Sequence, residues 1–307
     1  QGTSVLDALL AAQALDIPDH PRDGTAAIAG YAQGGAAAAS AAELWHDYAP
    51  EVQVLGAVCG AVPADLRLLA AAIDGSPYFA FLGYALVGLS ADYHVDLFPL
   101  LNDRGNEIAA QLESQCMFES LRRYAFTRSE TLTRDGRTLE QVLAQEPFAR
   151  IVEEQELGNG RSPRMDTLVS HSKLDDVVPY ECGRALAERW AALGAHVRFS
   201  TNYAPTHAAA ALASYAASAA SYCLRAAGSS SLACCLFCAS DAPASAVPAA
   251  CAAARSACAA VSWAARSLYA ACACVSWSFA AVELAPSPAT PLQPATCPAP
   301  WPVSSHW

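Results

Sequence analysis

Hydrophobic and polar positions in residues 1–225 follow two alternating patterns. Short runs rich in apolar residues predict buried strands at 24–30 (GTAAIAG), 52–62 (VQVLGAVCGAV), 165–171 (MDTLVSH) and 196–203 (HVRFSTNY). Apolar residues at helical spacing predict helices at 4–15, with Ser4 as the N-cap, at 36–49, at 181–194 and from about 207 to 225. Strands that alternate with helices indicate a parallel sheet covered on both faces. The pattern therefore predicts an α/β fold.

One long segment interrupts this alternation. Residues 64–165, between the second and third predicted strands, are mainly helical and contain turns such as DGSP, NDRG and RDGR. The segment is far longer than a crossover between parallel strands needs. We predict that it forms a helical cap, or lid, beside the carboxyl edge of the sheet, where open α/β sheets place their sites. Residues 1–63 and 166–225 then form the core of the fold.

The composition changes near residue 225. Residues 226–307 are dominated by Ala, Ser, Cys and Pro and follow neither period, and nine of the twelve cysteines lie between Cys223 and Cys297. One interpretation is a Cys-rich, low-complexity extension, which would suit a disulfide-bonded module of a secreted protein. The other is a sequence artefact, because a GC-rich gene read in a shifted frame yields these residue types. We favour the artefact and assign no function to these cysteines.

Charge and composition narrow the classes of function. The formal net charge of −11 and the pI of about 5.0 argue against a nucleic-acid partner, because phosphate binding needs a basic face. No apolar run reaches the roughly 20 residues that a membrane-spanning helix requires. The chain begins at Gln1 without a signal peptide, which indicates a processed or truncated start and leaves secretion open.

The stretch AIAGYAQGGAAAA (27–39) joins the first strand to a helix rich in small residues. Its Gly30 and Gly34 are spaced as in Gly-x-Ser-x-Gly, the sharp turn in which esterases and lipases carry their nucleophilic serine. The central residue here is Ala32, whose methyl group cannot attack a carbonyl. The backbone N–H of Gln33 would point at a developing oxyanion. The alternative is an ordinary strand-to-helix turn of an α/β protein.

Two later segments carry candidate catalytic groups. Asp175 and Asp176 follow the third strand in HSKLDDVVPY (171–180), and either could orient a histidine, or both could be helix caps or solvated. His207 follows the fourth strand and could be simply exposed. Nucleophile position, acid and histidine, each after a successive strand, is the order of the α/β-hydrolase triad. The other histidines show no metal-ligand spacing, so we expect no metal and no cofactor.

The chain from about residue 2 to 225 resembles the secretory lipase family of the α/β-hydrolase superfamily. The likeness rests on GYAQGG, where the family has Gly-Tyr-Ser-Gln-Gly-Gly, on YAPEVQVLGAVCGAVPADL, on LNDRG and QC, and on HSKLDDVVPYECGRALAERW. It implies that Ala32 stands at the nucleophile position, Asp175 is the acid and His207 is the base. Asp175 is preferred because it matches the family's Asp three residues before the second Val of VVPY.

The family hydrolyses esters of acylglycerols and related lipids, with a helical cap over an acyl-binding pocket and no metal. The chain departs from it by Ala32, by the absence of earlier strands that complete the sheet, and by the tail. We therefore interpret it as the C-terminal portion of a lipase or carboxylesterase that is inactive as written. The resemblance implies secretion, transient contact with a lipid interface and no stable protein partner. The alternative is a non-catalytic lipid-binding pseudoenzyme, in which the apolar stretch 76–93 binds an acyl chain instead of forming cap core.

Overall fold

A parallel sheet forms the centre of the protein. A computed structural model describes residues 1–15 and 25–215. Within these residues, the strands β1 (Ala26–Tyr31), β2 (Val54–Gly60), β3 (Thr167–Ser172) and β4 (Val197–Asn202) lie side by side in chain order, and every pairing is parallel. All six residues of β3 are buried, as expected for an inner strand with helices on both faces. The predicted α/β fold is confirmed.

Helices precede, connect and follow the strands. Their bounds are α1 (Gly2–Ala14), α2 (Gln33–Tyr48), α3 (Leu66–Ile73), α4 (Ala80–Asp92), α5 (Asp103–Leu112), α6 (Met117–Tyr124), α7 (Leu139–Leu143), α8 (Phe148–Gln155), α9 (Tyr180–Ala192) and α10 (207–215). A short 3₁₀ turn, Ser129–Thr131, lies between α6 and α7.

Tertiary packing moves the starts of the first two helices. The prediction that Ser4 caps the first helix is wrong, because α1 begins at Gly2 with Gln1 at its N-cap. A Cβ on Gly2 would lie 2.4 Å from the hydroxyl of Ser40, so the start of α1 is pressed against α2. Helix α2 begins at Gln33 rather than at residue 36, although glycine has a low helix propensity. Contact with neighbouring elements outweighs that preference.

Small residues let α2 lie directly on the sheet. A Cβ on Gly35 would be 2.2 Å from the carbonyl oxygen of Gly60 in β2. The next inward-facing residues of α2 are buried alanines: Ala38, Ala39, Ala41 and Ala42. The close approach fixes where α2 begins relative to the ends of β1 and β2, and the candidate site is built at that point.

The helices α3–α8 form the segment between β2 and β3, which we call the helical insertion (residues 64–165). It has an apolar cluster of its own, which includes Ile73, Phe79, Ile108 and Ile151. The division of the chain into a core and a cap at residues 63 and 165 stays a prediction. The tail from 226 to 307 and the end of the last predicted helix lie outside the described residues. Across the described ranges, no helix is long and apolar enough to cross a membrane.

Candidate active site

The candidate site lies at the carboxyl edge of the sheet. Because β1, β3 and β4 are parallel, the loops that follow them meet at one edge. These loops carry Ala32, Asp175 and His207, in that order. The structure therefore brings together the three positions that the sequence places in a triad order.

Ala32 occupies a sharp turn between β1 and α2. Its backbone angles are φ 55° and ψ −120°, and it is the N-cap of α2. Residues other than glycine rarely adopt a positive φ, and such strain costs on the order of 1–3 kcal/mol. The Ala32 N–H donates to the carbonyl of Gly60 at 2.9 Å, which ties the turn to β2. This is the backbone expected of a nucleophile elbow, with a methyl group where a hydroxyl would stand.

Gln33 is the first residue of α2, so its N–H lies at the positive end of the helix dipole. It also lines a groove of about 680 Å³ between α1 and β1, together with Gly34. The predicted oxyanion donor is therefore at a helix N-terminus. Its role in binding an oxyanion stays a prediction.

The two glycines of the predicted elbow have different steric needs. A Cβ on Gly30 would lie 1.9 Å from the carbonyl oxygen of Gly34, whereas a Cβ on Gly34 would meet nothing within 4 Å. We expect Gly30→Ala to lower the free energy of unfolding by about 1–3 kcal/mol, the range for overpacking a well-packed site. The matched change Gly34→Ala should leave stability unchanged or raise it by up to about 1 kcal/mol. Urea unfolding of both variants tests this, and equal effects would contradict the turn geometry.

Asp175 contacts the His207 imidazole. Its oxygens lie 2.8 and 2.9 Å from Nδ1 of His207, and its side chain is fully buried while that of His207 is 17% exposed. The carboxylate also accepts the N–H groups of Val177 and Val178, at 2.9 and 2.8 Å. Burial acts to raise the pKa of Asp175, but the hydrogen bond and charge of His207 and these two N–H groups together hold it below its usual value. The carboxylate is therefore ionised and can fix the imidazole.

Asp176 and Tyr31 hold the main chain of His207. The His207 N–H donates to Asp176 Oδ1 at 2.7 Å, and the Tyr31 hydroxyl donates to the His207 carbonyl at 2.7 Å. The rings of Tyr31 and His207 are 4.9 Å apart. Burial, followed by the charges of Asp175 and Asp176, raises the pKa of Tyr31, so its hydroxyl stays protonated and can donate. The residue before Ala32 therefore links the elbow to the histidine.

The sequence analysis considered His171 only as a metal ligand and did not predict that it contacts the loop that carries Asp175. His171 is fully buried, its Nε2 lies 3.0 Å from the carbonyl of Val178, and the same atom is 3.7 Å from Asp175 Oδ2. Burial is the main cause that lowers its pKa, so the ring is neutral and Nε2–H donates to Val178. A Cβ on Gly183 would lie 2.4 Å from His171 Nδ1, so α9 lies against the ring. The spacing of four residues to Asp175 was the available signal.

The arrangement has the chain order and the Asp175–His207 contact of the predicted triad, with Ala32 at the predicted nucleophile position. A buried carboxylate contacts a histidine, and Tyr31 of the strained turn contacts the same histidine. That His207 would activate a nucleophile at position 32 stays a prediction. Among residues 1–15 and 25–215, no group of three or more His, Cys, Asp or Glu could hold a metal ion.

Comparison with known proteins agrees with the family resemblance seen in the sequence. The sequence profile described as secretory lipase matches residues 1–232. The chain is 25% identical to lipase A of Moesziomyces aphidis over 65% of this chain and 44% of that protein. It is 29% identical to a secreted triacylglycerol lipase of Malassezia globosa over 66% of this chain and 45% of that protein. The chain thus spans a little under half the length of these relatives.

The solved structures that resemble this chain include a lipase and an esterase. Candida antarctica lipase A in its closed state matches with a TM-score of 0.64 and 25% identity, over 73% of this chain and 53% of that one. The cell-wall-degrading esterase LipA of Xanthomonas oryzae matches with a TM-score of 0.52 at 17% identity, over 69% of this chain and 57% of that one, a likeness of fold alone. The family description and the Malassezia name support the prediction of a secreted protein. The chain belongs to the secretory lipase family.

Proposed function

We propose that this chain has the fold and site of a carboxylic ester hydrolase whose nucleophile is replaced by Ala32, so that it forms no acyl-enzyme. The observation that carries the proposal is the preformed pair of Asp175 and His207 beside the strained turn at Ala32. A buried aspartate that orients a histidine in this way serves proton transfer. Lipid binding alone would not need it.

The chemistry of the intact site follows from these positions. With a serine at position 32, His207 would take the hydroxyl proton as the oxygen attacks the ester carbonyl. The ionised Asp175 would hold the imidazole tautomer and stabilise the imidazolium. The Gln33 N–H would bind the negative oxygen of the tetrahedral intermediate. His207 would then protonate the leaving alcohol, and water would release the acid by the same steps.

The substrate class that we propose is acylglycerols and related lipid esters, with the helical insertion as a lid. Relatives named triacylglycerol lipases support this class. Leu174 and Tyr203, in the loops after β3 and β4, are 53% and 68% exposed. Apolar side chains at that edge would favour transient contact with a lipid interface. We propose no stable protein partner.

A lipid-binding pseudoenzyme is the second candidate. Helix α4, from the stretch 76–93, borders an apolar cavity of about 60 Å³ with Leu82, Leu86, Leu100 and Ile108 in its lining. Phe79, Ala80 and Leu82 of the same stretch are buried in the core of the insertion. The cavity is apolar and could bind part of an acyl chain, but it is small. Lipid binding there would not explain why a buried Asp175 contacts His207.

Covalent labelling distinguishes the two candidates. In the full-length protein, we expect Ala32→Ser to make residue 32 react with a fluorophosphonate, because His207 activates the hydroxyl and fluoride leaves. Mass spectrometry should find the adduct on the peptide that contains residue 32, and find none in the parent. The control Ala36→Ser places a hydroxyl one turn further along α2 and should stay unlabelled. A folded Ala32→Ser variant that forms no adduct would contradict the proposed hydrolase function.

A further inference from the structure

Asp176 bridges the candidate catalytic histidine and the helical insertion. Its Oδ1 accepts the main-chain N–H of His207 at 2.7 Å, and its Oδ2 accepts the hydroxyl of Tyr78 at 2.5 Å. Both carboxylate oxygens are therefore used, although the residue is exposed. Its neighbour Asp175 contacts the imidazole instead. Asp175 therefore contacts the side chain of His207, and Asp176 contacts its main chain.

The His207 N–H needs an acceptor from outside its helix. His207 is the first residue of α10, and the first N–H groups of a helix have no partner within it. Thr206 is the N-cap of this helix, and its hydroxyl accepts the N–H of Ala209 at 3.2 Å, so it does not satisfy the N–H of His207. A carboxylate at this end of the helix also interacts favourably with the helix dipole. Asp176 thereby fixes the main chain from which the imidazole projects.

Tyr78 brings the helical insertion into this link. Its ring lies parallel to that of Phe81 with centroids 6.2 Å apart, and both pack against the cluster that contains Val177 and Val178, in the loop between β3 and α9. Burial, followed by the hydrogen bond to Asp176, raises the pKa of Tyr78 to about 12, so the hydroxyl stays a donor. The contact joins residues 98 positions apart, one in the helical insertion and the other in the loop after β3.

We propose that Asp176 is a positioning residue for His207, and that Tyr78 couples the placement of the helical insertion to the alignment of this histidine. The inference rests on the proposed function, in which His207 is the general base. A displacement of the insertion would withdraw the Tyr78 hydroxyl and free Asp176 to turn away from the His207 N–H. Because a misplacement of about 1 Å can cost about a hundredfold in rate, a small release would be felt in catalysis.

The kinetic test uses the full-length protein that carries Ala32→Ser. Adding Asp176→Ala should lower kcat for a p-nitrophenyl ester by about tenfold to a hundredfold with little change in KM. Adding Asp176→Asn should restore most of kcat, because the amide oxygen still accepts from His207. Tyr78→Phe should cause a smaller loss. The control Tyr84→Phe, whose hydroxyl contacts Ser120 within the insertion, should leave kcat unchanged.

A second readout does not depend on activity. In the protein with Ala32 unchanged, amide hydrogen exchange of the His207 N–H should be faster in Asp176→Ala and in Tyr78→Phe than in Tyr84→Phe. Unchanged exchange, or an unchanged kcat in an active Ala32→Ser background, would overturn the inference and leave the proposed function standing. An inactive Ala32→Ser background would overturn the proposed function itself, whatever the exchange shows.

Discussion

Ala32→Ser in the full-length protein is expected to raise the rate of ester hydrolysis by about a million-fold over the parent, the order of loss seen when a triad nucleophile is removed. The expectation rests on three features of the described residues. Position 32 already has the strained angles of the turn, Asp175 is ionised against His207, and Gln33 starts α2. If the proposed function is right, Ala32→Ser supplies the attacking oxygen.

Hydrolysis of p-nitrophenyl esters with short and long acyl chains measures this effect. The parent should show only background release of nitrophenol. Ala36→Ser adds the same hydroxyl one turn along α2 and should also remain at background. Adding His207→Ala to the Ala32→Ser variant should return the rate close to that background. A parent that hydrolyses esters as fast as its Ala32→Ser variant would show that position 32 is not the nucleophile position.

The second large effect is expected from Asp175→Asn, made together with Ala32→Ser. We expect kcat to fall by about ten-thousand-fold, as when the triad carboxylate is replaced by an amide. Both Asp175 oxygens lie within 2.9 Å of His207 Nδ1, and Oδ1 also accepts two main-chain N–H groups. An amide that keeps its oxygen toward the loop turns its NH₂ toward the imidazole. Nδ1 must then accept, which places the proton on Nε2, where the general base needs a free electron pair.

Steady-state kinetics of Ala32→Ser with and without Asp175→Asn give the ratio of the two kcat values. Near-ultraviolet circular dichroism checks that the double variant keeps its tertiary packing. Glu188→Gln is the matched control, because this carboxylate on α9 pairs with Arg184 at the surface. It should leave kcat within a factor of two or so, as expected for an exposed ion pair. If Asp175→Asn folds normally and keeps the full rate, Asp175 is not the residue that orients the base.

The order and type of the main elements could be predicted from the sequence. The apolar runs predicted the four strands, and their alternation with helices predicted a parallel sheet, because local periodicity reports which faces are buried. The spacing of Gly30 and Gly34, after a strand and before a helix, predicted the sharp turn at Ala32. The assignment of Asp175 and His207 came from chain order and family resemblance.

Contacts between distant segments were decided only by the tertiary structure. Local sequence does not separate Asp175 from Asp176, but the path of the loop gives one the imidazole and the other the main chain of His207. The sequence marks Gly30 and Gly34 alike, whereas the fold crowds only Gly30. The link from Tyr78 joins residues 98 positions apart. Periodicity and spacing act over a few residues, so the sequence by itself determined the elements, and long-range packing determined which side chains meet.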